Sequence, residues 1–183
     1  RRDDDAARDD GTQSFMTELW DWVKSIGTAL VIVFVLHTFV FNLSTVKGSS
    51  MQPTLEDGEW LFVNKWVYWV GEPKRGDVVI LKDPSGGFGK REYLVKRIVA
   101  LPGDTVEVKN HELYVNGEKY NEPYIDVQFE DADFSSLTVE KGHYFVIGDN
   151  RHAGASRDSR SFGSMPDEMI KGGADFILWP LKK

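Results

Sequence analysis

A lysine on an apolar strand and a serine in a tight loop are the side chains of this sequence best suited to act together. The run Tyr93-Leu94-Val95-Lys96-Arg97-Ile98-Val99-Ala100-Leu101 alternates so that Lys96 shares a face with Leu94, Ile98 and Ala100. Burial on such a face disfavours an ammonium and lowers its pKa. A lysine that acts as a base at neutral pH must fall by about 3 units from about 10.4, at a cost of about 4 kcal/mol. The ordinary alternative is an edge-strand lysine that snorkels to water. Ser50 lies in Gly48-Ser49-Ser50-Met51-Gln52-Pro53-Thr54-Leu55, a composition that a plain linker also has. A serine activated by a neutral lysine is a known variant of nucleophile–base chemistry. A third polar cluster, Gly148-Asp149-Asn150-Arg151 with Asp158-Ser159-Arg160, follows the apolar run 144–147. Alone it reads as a turn held by ion pairs.

Composition narrows the chemistry. The 183-residue chain has no cysteine, which removes thiol nucleophiles, disulfides and Cys-ligated metals. Its four histidines, His37, His111, His143 and His152, are far apart in sequence, so a multi-histidine metal site is not expected. A net charge of −7 argues against a general nucleic-acid binder.

The elements that must position these residues are mostly strands. Short apolar runs at 60–63, 78–81, 93–101, 105–108, 112–115, 144–147 and 176–179 are bounded by Gly, Pro, Asn and Asp. Asn116-Gly117 between two such runs predicts a type I′ hairpin, and Pro102-Gly103-Asp104 a turn. A mainly β, antiparallel domain follows over residues 44–183, with 107–140 as a small ribbon and loop extension.

Upstream, residues 25–43 carry no formal charge, close to the roughly 20 apolar residues that a membrane-spanning helix needs. Trp20 and Trp22 precede this stretch, at an interfacial position. The stretch runs on through Phe39, Val40 and Phe41 without a small-residue cleavage site, so it reads as a retained anchor rather than a signal peptide. The expected organisation is a polar tail at 1–13 and an anchor helix at 14–43. Arg1, Arg2, Arg8 and Lys24 precede the span and Lys47 alone follows it closely. That asymmetry predicts a cytoplasmic N-terminus and an extracytoplasmic β domain. Trp66, Tyr68 and Trp69 are candidates for contact with membrane lipid.

Taken in order, the anchor, Ser50-Met51-x-Pro53-Thr54-Leu55, Arg75-Gly76-Asp77-Val78-Val79, Lys96-Arg97-Ile98-Val99-x-Leu101-Pro102-Gly103-Asp104 and Gly148-Asp149-Asn150-Arg151…Asp158-Ser159-Arg160 resemble the type I signal peptidases. These are membrane-anchored Ser–Lys endopeptidases, and the small 107–140 region is similar to their Gram-positive branch. The resemblance implies Ser50 as nucleophile and Lys96 as general base. It also implies Asp149 paired with Arg97 and Asp158 with Arg160, with Asn150 and Arg151 as support. Ser156 would orient the lysine amine, and Met51, Leu55, Leu94 and Val95 would line a shallow pocket for small residues. The implied substrates are the signal peptides of secretory preproteins, cut after Ala-x-Ala-like sequences at the plasma membrane, with no metal or cofactor.

Two features depart from the family pattern. Gly48 stands where Gram-negative members have an oxyanion-binding serine, which leaves the Ser50 N–H and the local backbone around Gly48 for that task. Six residues, 152–157, separate Arg151 from Asp158, a longer interval than usual. Other readings of the sequence are a non-catalytic, membrane-tethered β domain that binds a protein partner, a self-cleaving repressor, and a penicillin-binding enzyme suggested by Ser44-x-x-Lys47. The last lacks its SDN and K-T-G partners.

Overall fold

The computed structural model describes residues 3–65, 67–86 and 93–179. The chain divides into two compact units, residues 1–40 and 41–183. The first is helix α1 (Asp3–Val35), continued by a π-helical turn, Leu36–Val40. Its segment Phe15–Thr38 is long and apolar enough to cross a bilayer. At about 1.5 Å per residue its 24 residues span about 36 Å. Its apolar side chains are exposed, Phe34 at 66% and Val31 at 62%, as lipid-facing side chains are.

The second unit is antiparallel β structure. Strand β1 (Phe41–Thr45) starts inside the stretch that hydropathy assigns to the anchor. The reason is pairing: Phe41 through Thr45 lie opposite Asn64 through Trp60 of β2 (Trp60–Asn64). After the short helix α2 (Val67–Val70) come β3 (Val78–Lys82) and β4 (Tyr93–Ala100). A second group follows: β5 (Thr105–Lys109), β6 (Glu112–Val115), β7 (Glu118–Lys119) and β8 (Phe134–Thr138). Then come β9 (His143–Ile147), α3 (Ser159–Phe162), β10 (Met165–Pro166) and β11 (Ile170–Trp179). The larger sheet has the order β1-β2-β11-β3-β4-β9-β10, and the smaller β7-β6-β5-β8.

Residues 105–138 hold the smaller sheet, whose apolar side chains share one core with the larger sheet. Val106, Val108, Leu113 and Phe129 pack there with Phe145 and Ile147 of β9. Asn116 and Gly117 both take positive φ, 55° and 79°, as the type I′ turn requires. In β4 the alternation holds for Leu94 and Ile98, which pack with Val79, Leu81 and Val146. A register irregularity between Ile98 and Ala100 then turns Ala100 into the other cluster, off the face assigned to Lys96.

Of the aromatics assigned to lipid, Trp66 and the Trp69 side chain lie outside the described residues. Tyr68 is half-buried against the core, and its hydroxyl donates to Asp77 Oδ2 at 3.3 Å. Its ring packs in part on the core.

Candidate active site

Strand β4 holds Lys96 opposite Val79 and Arg97 opposite Val78. Lys96 is 2% exposed, and Nζ donates to Ser156 Oγ at 3.2 Å. The Ser156 hydroxyl donates onward to Asp158 Oδ2 at 2.7 Å. Asp158 also accepts Arg160 Nε at 2.9 Å and Nη2 at 3.0 Å, as well as the backbone N–H of Arg160, where it caps α3. Burial pulls the Arg160 guanidinium pKa down, but Asp158 and Asp131 outweigh it and hold it above the ordinary value. The Asp158 charge is therefore paired with Arg160, which also bonds Asp131, and the Ser156 hydroxyl stands between Asp158 and Lys96.

The segment carrying Ser50 is clamped from the loop after β9. The Asn150 N–H donates to Ser50 O at 3.1 Å, and its Nδ2 to Ser49 O at 2.9 Å. Gly148 gives the space for this approach. A Cβ at Gly148 would stand 2.3 Å from Ser156 Oγ and 2.4 Å from Ser50 O. Ser50 and the Lys96–Ser156 pair thus meet at one glycine. Downstream, Thr54 Oγ1 donates to Asp149 Oδ2 at 2.5 Å, a residue whose role sequence reasoning did not anticipate.

Asp149 and Arg97 form the expected pair, with Nε at 2.9 Å from Oδ1 and Nη2 at 2.6 Å from Oδ2. Arg97 Nη1 donates to Gly76 O at 2.7 Å, and its guanidinium lies 3.9 Å from the Tyr124 ring centroid. Burial lowers the Arg97 pKa and Asp149 raises it, with a net upward shift. Burial, followed by Glu122, pushes the Tyr124 hydroxyl pKa up. Arg151 is fully buried and bonds bidentately to Glu122 at 2.6 and 2.9 Å, a partner missed at sequence level. The Phe129 ring has Arg151 and Arg160 at 4.2 and 4.9 Å from its centroid. The long interval after Arg151 bulges outward, where the Ala153 N–H donates to Glu130 at 3.1 Å and the Gly154 N–H to Asp131 at 3.0 Å. The chain then returns to bring Ser156 to Lys96.

A cleft of about 200 Å³ adjoins Ser50. Its lining includes Val46, Gly48, Met51, Ile80, Leu94 and Val95. Leu55 is not part of it: the side chain is buried in a cluster with Val46, Met51 and Leu61. Gly48 also differs from expectation. Its N–H donates to Asp57 Oδ1 at 2.5 Å, so that donor is committed elsewhere. Among the described residues no group of three or more His, Asp or Glu side chains is arranged to hold a metal ion.

Comparison with known proteins identifies the family. A family model described as signal peptidase, peptidase S26 matches residues 19–179. Signal peptidase I P of Bacillus subtilis subsp. natto is 43% identical over 173 residues, covering 89% of this chain and 90% of the relative. Signal peptidase IB of Staphylococcus aureus is 38% identical over 183 residues, covering 91% and 92%. A crystal structure of a signal peptidase I from Enterococcus faecalis is 33% identical, covering 56% of this chain and 97% of that one, with a TM-score of 0.47. With the family match spanning most of its length, this chain belongs to the signal peptidase family, peptidase S26.

Proposed function

We propose that this signal peptidase I-family serine endopeptidase cleaves signal peptides from preproteins with Ser50 as nucleophile and Lys96 as general base. Neutral Lys96 takes the Ser50 hydroxyl proton as Oγ attacks the carbonyl carbon before the scissile bond. The oxyanion that forms is stabilised by the Ser50 N–H, since the Gly48 N–H is held by Asp57. Collapse breaks the C–N bond, and the lysine returns the proton to the leaving amine. Lys96 then deprotonates a water that hydrolyses the acyl-enzyme. Ser156 holds the amine in place from the side of Asp158. Met51, Leu94 and Val95, with Val46 and Ile80, form the shallow cleft that admits small side chains and excludes bulk.

The anchor follows the same logic. Signal peptides reach the protease from the bilayer, so a tethered β domain meets its cleavage sites at the membrane surface. The lysine and arginine excess before Phe15–Thr38 supports a cytoplasmic N-terminus with the β domain outside. Contact of the β domain with membrane lipid belongs to the same reading.

The observation that carries the dyad is the burial of Lys96 beside a neutral hydroxyl. The test is the pH dependence of kcat/KM, with the Lys96→Arg variant alongside. The rate is expected to rise with pH as Lys96 loses its proton, and Lys96→Arg is expected to lose about 10²–10⁴-fold, since arginine stays charged. A flat profile from about pH 5 to about pH 10, with an active arginine variant, would remove Lys96 as the base.

A further inference from the structure

Besides its hydroxyls and apolar groups, the cleft beside Ser50 presents one charged side chain among its described lining residues, Lys47. Lys47 is exposed, and it appears in none of the ion pairs among the described residues. Asp57 is close to the same wall, bonded to the Gly48 N–H, but it does not line the cleft. Lys47 is therefore the charged residue among the described residues that line the cleft, with the Asp57 carboxylate bonded to the same wall.

We propose that Lys47 makes this peptidase select among signal peptides by charge close to the scissile bond. The inference rests on reading Ser50 as the nucleophile and the adjoining cleft as the seat of the substrate. In an extended peptide, alternate side chains point to opposite sides. If the small residues face the apolar floor of Met51, Ile80 and Val95, the intervening ones face the rim that Lys47 occupies. Steric exclusion at the floor reads size, and Lys47 reads sign. A carboxylate on the rim-facing side of the peptide is favoured, an ammonium or guanidinium there is disfavoured, and a neutral side chain falls between.

Because Lys47 is solvated, the discrimination is small: about two- to fivefold per substrate charge at low ionic strength. It is largely screened near 1 M salt, where the Debye length is about 3 Å.

The test uses the full detergent-solubilised chain and a preprotein series with Asp, Asn or Lys placed singly at each position flanking the small residues around the cut. At one or more rim-facing positions the expected order of kcat/KM is Asp above Asn above Lys. The Asp:Lys ratio within each enzyme is the readout. It should invert in Lys47→Glu, fall to about one in Lys47→Gln, and collapse in high salt. An Asp:Lys ratio that is the same in wild type and both variants at every position overturns the proposal. Should Lys47→Glu fold poorly, the ratio in Lys47→Gln decides alone. A wild-type enzyme that cuts none of the series would overturn the assignment of the cleft instead.

Discussion

Asn150 fixes the main chain at Ser50 from two directions, its backbone N–H reaching Ser50 O at 3.1 Å and its side-chain amide reaching Ser49 O at 2.9 Å. With both carbonyls drawn toward the loop after β9, the orientation of the Ser50 peptide is set before substrate arrives. Replacing the side chain leaves the backbone bond and removes the other. Asn150→Ala is therefore expected to lower kcat by about 10-fold to 10²-fold with KM little changed, because a small displacement of a reacting group has that scale of effect. The stability cost should be about 0.5–1.5 kcal/mol. Steady-state kinetics with a thermal melt separates the two; a rise in KM at unchanged kcat would show that Asn150 serves binding instead.

Gly148 is the tightest point of the site. A methyl group there meets a backbone carbonyl, Ser50 O at 2.4 Å, and a short side-chain oxygen, Ser156 Oγ at 2.3 Å, neither on a flexible stem. Gly148→Ala is expected to push the Ser50 segment and Ser156 apart and to lower kcat/KM by about 10² or more. Overpacking of this kind costs about 1–3 kcal/mol of stability, so the variant should still fold. Full activity in a folded Gly148→Ala protein would mean that the loop yields freely.

Much of this was legible before the structure. Lys96 stands out because an ionisable group interrupts an apolar face, and the Ser50 and Gly148–Arg160 segments stand out once their order along the chain is taken together. Strand β1 was hidden because its first residues, 41–43, run on from the apolar anchor with no turn signal between them. Strand β8 was hidden because Ser135 and Ser136 are exposed and give no alternation to read. The contacts Thr54–Asp149 and Glu122–Arg151 join residues 95 and 29 positions apart, and no local pattern announces such pairs. Leu55 follows the same rule in reverse: its motif position is plain, but which side of the wall it packs on depends on Val46 and Leu61, which belong to other segments.

Asp104 gives the fold a pH-dependent clamp at the turn between β4 and β5. Burial raises its carboxyl pKa, but the Leu101 N–H, the Asn116 amide and the Arg75 guanidinium together hold it below the ordinary value. A carboxylate depressed in the folded state contributes stability above its unfolded pKa, near 3.9, and loses it as pH falls through the folded value. Asp104→Asn should therefore destabilise by about 1–3 kcal/mol at pH 7, and the gap from wild type should close below about pH 4. Denaturant melts at several pH values measure it; a gap that is constant with pH would assign the loss to packing rather than charge.

The central claim is that Ser50 opens the peptide bond of a signal peptide. It is tested most directly by incubating a secretory preprotein with the detergent-solubilised chain and with Ser50→Ala, and reading the new N-terminus by mass spectrometry. The account predicts a single cut after a small residue by the unaltered chain and none by Ser50→Ala, since removal of the attacking oxygen leaves Lys96 with nothing to activate. The same cut made by Ser50→Ala at an undiminished rate would contradict it.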